Sequence, residues 1–301
     1  MRIIRLYYPK DHELILAGDV HRGSILSDKE GFVSCIDYVL KEANRRLILM
    51  GDLQDSRPSD HRYFDLSEVE EGGISIPEIQ FNEVRDTLIP AADRIDVALF
   101  GNHEWDLRRT GNWTNRLVEE LKKESGRDDI YYGTMSCVVE IHDKDDPEIL
   151  LYKIFLHHGT FISLRSQAKD FEQQQGNKKA RFKLLLRELA SDCVIMAAGH
   201  THQDIIVPPT GQLYLYHENF KVRQAYLHQG INERYIDPNQ RWYANTGAFL
   251  LRSTEKLGYD GLPISGYPER RGYWPLVRAF TSVEVANGVI QDVKSKRIGE
   301  F

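Results

Sequence analysis

Two histidines at alternate positions, His200 and His202, follow a glycine at the end of an apolar run, residues 193–198. In extended backbone, residues i and i+2 point to the same side. The two imidazoles therefore leave the strand end together, an arrangement suited to a metal ion, for which imidazole is the commonest ligand. A lone His-x-His pair is a weak signal, because such pairs are common on ordinary surfaces. Upstream, the same grammar recurs. Gly18-Asp19-Val20-His21, Gly51-Asp52-Leu53-Gln54-Asp55, Gly101-Asn102-His103-Glu104 and His157-His158-Gly159 each close an apolar run. Sites in open α/β sheets form outside the carboxyl ends of strands. The side chains delivered there are Asp19, His21, Asp52, Asn102, His158, His200 and His202. They make a mixed oxygen and nitrogen set, large enough for two divalent cations.

The elements that must carry these residues can be read from periodicity. Short apolar runs rich in β-branched residues predict interior strands at 14–17, 46–50, 95–100, 149–156 and 193–198, with a looser one at 135–141. Phe32, Cys35, Ile36, Val39 and Leu40 recur with helical spacing, as do Trp113, Leu117, Val118 and Leu121. Pro77 opens a predicted helix reaching to about residue 92, and 171–190 reads as a long, polar-faced helix. The charge-dense stretch 56–76 reads as a loop or lid. Further strands are expected at 204–207, 213–217, 223–227, 242–251, 277–283 and 289–293. No repeat or Pro/Gly/Ser linker divides the chain. A single α/β domain over 1–301 is therefore expected, with βα units first and antiparallel strands later. Residues 208–241 could form an inserted hairpin or cap; within them, 214–235 could cover the site or make an oligomer contact, with a plain sheet extension as the simpler reading. Residues 253–301 would supply strands that complete the sheet.

Composition limits the function classes. The 301 residues carry a formal net charge of −6, which excludes a uniformly basic nucleic-acid coat but not a local patch. Cys35, Cys137 and Cys193 are odd in number and lack Cys-x-x-Cys spacing, so neither a disulfide framework nor a zinc knuckle is indicated. Buried reduced thiols are expected. The first eight residues lack the apolar core and cleavage site of a signal peptide, and no apolar stretch approaches the ~18–20 residues that span a bilayer. A soluble cytoplasmic protein with no membrane partner is expected.

The five motifs, in this order, resemble the calcineurin-like metallophosphoesterase superfamily. The resemblance spans about residues 14–202, and Asn245-Thr246-Gly247 is similar to a later Asn-x-Gly element of that family. It implies a four-layer αββα sandwich of two mixed β-sheets flanked by helices. It also implies two divalent ions: Asp19, His21 and His202 on the first, Asn102, His158 and His200 on the second, and Asp52 bridging both. His158 is chosen over His157 because the family's ligand directly precedes the glycine, and neighbouring strand residues face opposite ways. Manganese is the expected metal, with Fe, Zn, Co or Ni also compatible with such ligands.

The chemistry that follows is phosphoester hydrolysis. Paired cations neutralise the phosphate and generate a nucleophile. The expected reaction is attack by metal-bound hydroxide on a nucleotide or nucleic-acid phosphodiester, with Asp52 and His103 as catalytic residues and His103 assisting the leaving oxygen. A phosphomonoesterase is the alternative, acting on small molecules or proteins, and a non-catalytic scaffold of the same fold is a third reading. Asp55 fits the second motif or caps a loop; Glu104 is an acceptor behind the ligands or a helix cap. Candidate substrate contacts are Arg22, Arg57, Arg62, Trp105 and Arg108, where cationic and aromatic groups could hold a phosphodiester and stack a base.

Overall fold

The computed structural model describes residues 1–55, 57, 60–61, 64, 69, 77–227, 233–257, 262, 264–266, 269 and 276–301. In chain order these form β1 (Arg2–Tyr8), β2 (His12–Ala17), α1 (Lys29–Lys41), β3 (Arg45–Leu49), α2 (Pro77–Leu88), β4 (Ile95–Leu99), α3 (Asn102–Asp106), α4 (Trp113–Ser125) and β5 (Tyr131–Thr134). There follow β6 (Ser136–Asp143), β7 (Leu150–His157), α5 (Phe171–Leu186), β8 (Ile195–Ala198) and β9 (Asp204–Val207). The chain closes with β10 (Leu213–Glu218), β11 (Lys221–Tyr226), β12 (Trp242–Thr246), β13 (Ala279–Ala286) and β14 (Val289–Arg297).

Two six-stranded mixed sheets result, ordered β1-β6-β7-β8-β12-β9 and β14-β13-β2-β3-β4-β5. Strands β2, β3, β4 and β5 run parallel to one another, and β13 pairs antiparallel with β2 and β14. Strands β7, β8 and β12 are also parallel, with β9 antiparallel at the edge. The central strands are apolar on both faces because both faces are covered. Leu14, Leu16, Ile48, Val97 and Leu99 meet Val139, Ile154, Leu156 and Ile195 between the sheets. Their neighbours Ile15, Ala17, Leu47 and Leu49 turn outwards onto Phe32, Ile36, Phe81, Leu117 and Leu121 of the helices α1, α2 and α4. On the far side, Phe155 and Met196 pack against Phe182 and Leu186 of α5. The architecture is the expected αββα sandwich.

Three local differences have physical causes. The helix expected over 171–190 ends at Leu186, because the Arg241 guanidinium takes the Arg187 and Ala190 carbonyls. Strand β1, unassigned from sequence, buries Ile4, Leu6 and Tyr8 on one face and pairs with β6, more than 130 residues away. Within 214–235, the described residues do not extend either large sheet: β10 and β11 form a separate two-stranded ribbon.

One buried histidine ties β2 to the other sheet. His12 donates through Nδ1 to the Pro9 carbonyl (2.7 Å), and Nε2 accepts from the Tyr152 hydroxyl (2.7 Å). Burial pushes its pKa down to about 4. The unfolded chain takes up that proton near pH ~6.5, the folded chain only near 4. Stability is therefore full above the unfolded value and falls as pH drops through this window, by about 3 kcal/mol. Urea titrations of wild type and His12→Gln across the window should differ by that amount in their pH dependence. Parallel curves would remove His12 as the cause.

Candidate metal centre

The ligand-bearing turns adopt an uncommon backbone. Asp19 (φ 52°), His21 (49°), Asp52 (49°), His200 (70°) and His202 (53°) all lie in the left-handed region. Asp, Asn and His enter this region far more readily than branched or bulky residues. Each turn leaves a parallel strand sharply and aims its side chain back across the strand ends. The turns press together: a Cβ on Gly101 would lie 2.0 Å from Asp52 Oδ1, so that position requires glycine.

Two groups of ligand atoms share this space, Asp19, His21 and His202 in one and Asp52, His158 and His200 in the other; a third, His21, Asp52 and His103, overlaps both. His202 Nε2 lies 3.1 Å from His21 Nε2 and 3.4 Å from Asp19 Oδ1. On the other side, His158 Nε2 lies 3.1 Å from Asp52 Oδ2 and 3.2 Å from the Asn102 side-chain oxygen. Asp52 Oδ2 is also 3.8 Å from His21 Nε2, so this carboxylate reaches both groups. His158 donates through Nδ1 to the Met50 carbonyl (2.9 Å), which turns the Nε2 lone pair inward. Lone pairs thus face lone pairs, and the buried Asp19 Oδ1 accepts no hydrogen bond. Such convergence of acceptors is relieved only by a proton or a cation. The residues present therefore fit divalent metal.

The electrostatics agree. Burial opposes ionisation of Asp52, but the surrounding histidines, His158 foremost, hold it well below the usual carboxylate range. Burial disfavours charge on His158 as well, yet Asp52 overrides this and raises it to about 10. A proton there stands in the position a cation would take. Burial lowers His103 and His200 to about 4 each, which keeps both neutral.

Residues 12–233 match the calcineurin-like phosphoesterase family. The chain belongs to that family. Several solved structures of low identity overlap it. A conserved uncharacterised protein of Streptococcus pneumoniae, described as a predicted phosphoesterase, is 12% identical with a TM-score of 0.32, over 95% of this chain and 97% of that one. The calcineurin-like phosphoesterase YfkN of Bacillus subtilis is 10% identical with a TM-score of 0.37, over 96% and 90%. Vps29 of Entamoeba histolytica, complexed with Zn²⁺, is 13% identical with a TM-score of 0.36, over 95% and 98%. No curated protein sequence matches the chain.

In this calcineurin-like phosphoesterase, all seven expected ligands come together at the strand ends. His157 does not join them. Its Nδ1 accepts the Gly159 N–H (2.6 Å), and its ring packs edge-on against Phe161, on the other face of β7. His103 lies beside the ligands, its backbone N–H donating to Asp52 Oδ1 (2.9 Å). Of the candidate substrate contacts, Arg22 is ion-paired with Glu83 (3.0 Å). Arg57 Nη2 donates to His103 Nε2 (3.0 Å). Trp105 is half-exposed, stacked on Phe100, with the Arg108 guanidinium 4.5 Å from its ring centre. Arg62 lies outside the described residues.

The supporting contacts were the least legible in sequence. Asp55 Oδ1 lies 3.1 Å from His21 Nδ1 and 3.4 Å from His103 Nδ1, and so orients both rings. Asn245 donates to the Gly199 carbonyl (3.1 Å), fixing the turn that carries His200 and His202. Glu104 accepts four backbone N–H groups: Gly101 (2.8 Å) and Asp52 (3.0 Å) on Oε2, Leu53 (2.7 Å) and Gln54 (3.1 Å) on Oε1. It thereby clamps the turn after β3 to the start of α3. Burial and the Asp52 charge raise its pKa, and the Gly101 and Gln54 N–H groups lower it. Glu104→Gln would aim an amide N–H₂ at N–H donors. Metal affinity should fall by about 10–100-fold while kcat at saturating metal is largely kept. Metal titration followed by rate measurement separates the two effects, and unchanged affinity would refute the clamp.

Proposed function

We propose that the chain is a two-metal phosphodiesterase acting on a nucleotide or nucleic-acid phosphodiester. The reading rests on one observation above the rest. One Asp52 carboxylate oxygen, Oδ2, reaches both of two ligand groups, one made by Asp19, His21 and His202 and the other by Asn102, His158 and His200. When bound there, two divalent ions, manganese on our reading, would neutralise the phosphate and lower the pKa of a water that becomes the nucleophile.

The chain's own residues do the rest. Asp52 brings negative charge to the middle of the site, while the neutral Asn102 and the neutral rings of His103 and His200 leave room for an anion. His103 assists the leaving oxygen, and Arg57, which donates to His103 Nε2 at rest and must yield that nitrogen for the step, adds positive charge beside it. Asp55 holds the His103 ring in place. The Trp105–Arg108 stack offers a flat, cationic platform for a base. The inner layer drawn from both sheets supports a single domain over 1–301. Three buried free thiols suit a reducing, cytoplasmic compartment; among the described residues, no helix is long and apolar enough to cross a membrane.

One observation favours the phosphomonoesterase alternative: Arg57 is a permanent cation at the site, and a terminal phosphate carries one more negative charge than a diester. The two readings separate in one experiment. The Mn²⁺-loaded protein is given a bis-aryl phosphate and the matching aryl phosphate, with Asp52→Asn as blank. Faster turnover of the diester is expected. Preference for the monoester would overturn the diesterase reading, and a metal-loaded protein that turns over neither would revive the scaffold.

A further inference from the structure

The ribbon β10–β11 has a dry face and a wet face. Its register pairs Leu213 with Tyr226, Leu215 with Gln224 and His217 with Val222, so these six side chains share one face. The other face carries Tyr214, Tyr216, Glu218, Lys221, Arg223 and Ala225, with Glu218 ion-paired to Arg223 (2.7 Å) and the two tyrosine rings 6.0 Å apart. Every Asp, Glu, Lys and Arg of the ribbon is thus on one side. Antiparallel strands sort their residues this way when the apolar side is covered. Yet Leu213, Leu215, Val222 and Tyr226 are exposed, Leu215 and Val222 by more than 60%. A two-stranded hairpin alone is marginal in water.

The turn adds a second observation. Asn219 (φ 50°) and Phe220 (φ 58°) both lie in the left-handed region, as a two-residue hairpin turn requires. Asn suits it. A bulky aromatic is disfavoured there, where glycine would be easy, and Phe220 is fully exposed at the tip. Backbone strain is accepted to place an aromatic ring at the tip of the ribbon.

We infer that the dry face is a homodimer contact, covered by the same face of a second copy. A two-fold contact brings each residue near the axis against its own counterpart, so any charge there would meet a like charge. The dry face has none. Packed face to face and antiparallel, two ribbons lay each Phe220 over the root pair Leu213 and Tyr226 of the second copy, with Leu215 near the axis. Large aromatics bury roughly 150–250 Å² each. With Leu213, Leu215 and Val222, Phe220 and Tyr226 supply several hundred Å² per copy, comparable to the about 800 Å² of a standard interface side.

A bilayer fits the ribbon less well. Its apolar residues are densest at the root, while Glu218 and Lys221 flank the tip, so insertion would bury charge before it buried Leu213 or Leu215. Nor does the ribbon cover the ligands. It grows from the Val207 end of β9, and β9 lies antiparallel to β12 with Asp204 opposite Thr246 at the site end. Dimerisation should therefore leave turnover unchanged.

The test is sedimentation velocity on the full, metal-loaded chain over a micromolar concentration series. Wild type should reach the mass of two chains. Leu215→Glu and Leu215→Lys should each sediment as one chain with wild-type turnover and a cooperative melt lowered only by the lost association, and mixing the two variants should restore the two-chain mass through opposite charges at the axis. Arg223→Gln, on the wet face, should stay dimeric. A wild type that stays monomeric, charged variants that still dimerise, or a mixture that stays monomeric would overturn the proposal. So would co-sedimentation of the monomer with anionic vesicles.

Discussion

Asp52→Asn should reduce kcat by on the order of 10³-fold or more, about 4 kcal/mol in activation free energy, and lower bound metal per chain. The substitution is close to isosteric. Asn can keep the oxygen that accepts the His103 N–H (2.9 Å), so the start of α3 stays in place. What changes is the other atom. Oδ2, which faces His158 Nε2 at 3.1 Å and His21 Nε2 at 3.8 Å, becomes an amide nitrogen that donates. It would point positive hydrogens at the place where both ligand groups need negative charge. Metal analysis and steady-state kinetics on the same preparation check both halves. A variant that keeps its metal and stays within about tenfold of wild type would refute Asp52 as the shared ligand.

The second large effect is on stability. Arg241→Ala should cost about 3–5 kcal/mol, combining a buried cavity with orphaned carbonyls. Arg241 is among the largest fully buried side chains, and among the described residues it has no carboxylate partner. Its guanidinium instead gathers the Ile236 carbonyl, the Arg187 carbonyl (2.8 Å) and the Ala190 carbonyl (3.2 Å). It therefore ends α5, shapes the turn into β8 and fastens the chain just before β12. Those strands carry His200, His202 and Asn245, so metal affinity should weaken with stability. Urea unfolding measures the first effect. A loss under about 1 kcal/mol would show that water replaces the guanidinium without strain.

What the sequence displayed and what it hid follow from the distance between partners. Strand-end ligands were legible because each sits in a local pattern: an apolar run, then Asp, Asn or His beside a glycine. The strand period of two also separates His158 from His157, and the structure puts them on opposite faces. Glu104 could be read only as a cap or an acceptor, because three of its four donors lie about 50 residues away. Arg241 sits in a stretch with no periodicity, and nothing local says that it is buried. Strand β5 is four residues long and too short to declare itself. Substrate contacts were least legible: Arg22 meets Glu83, and Arg57 meets His103, through folding that no local motif encodes.

The left-handed backbone of the five ligands sets activity against foldedness. Each non-glycine residue held there costs on the order of 1 kcal/mol, and the same residues crowd acceptors that repel one another without a cation. A substitution such as His200→Gly or Asp19→Gly would remove a ligand and, at the same position, relax the backbone. In the metal-free chain that relaxation offsets part of what the lost side-chain contacts cost, such as the His200 N–H bond to Asp19 Oδ2 (2.8 Å). Metal binding is what calls for Asp and His at these five positions in three turns, so the ligand set is kept at a backbone cost that glycine would not carry.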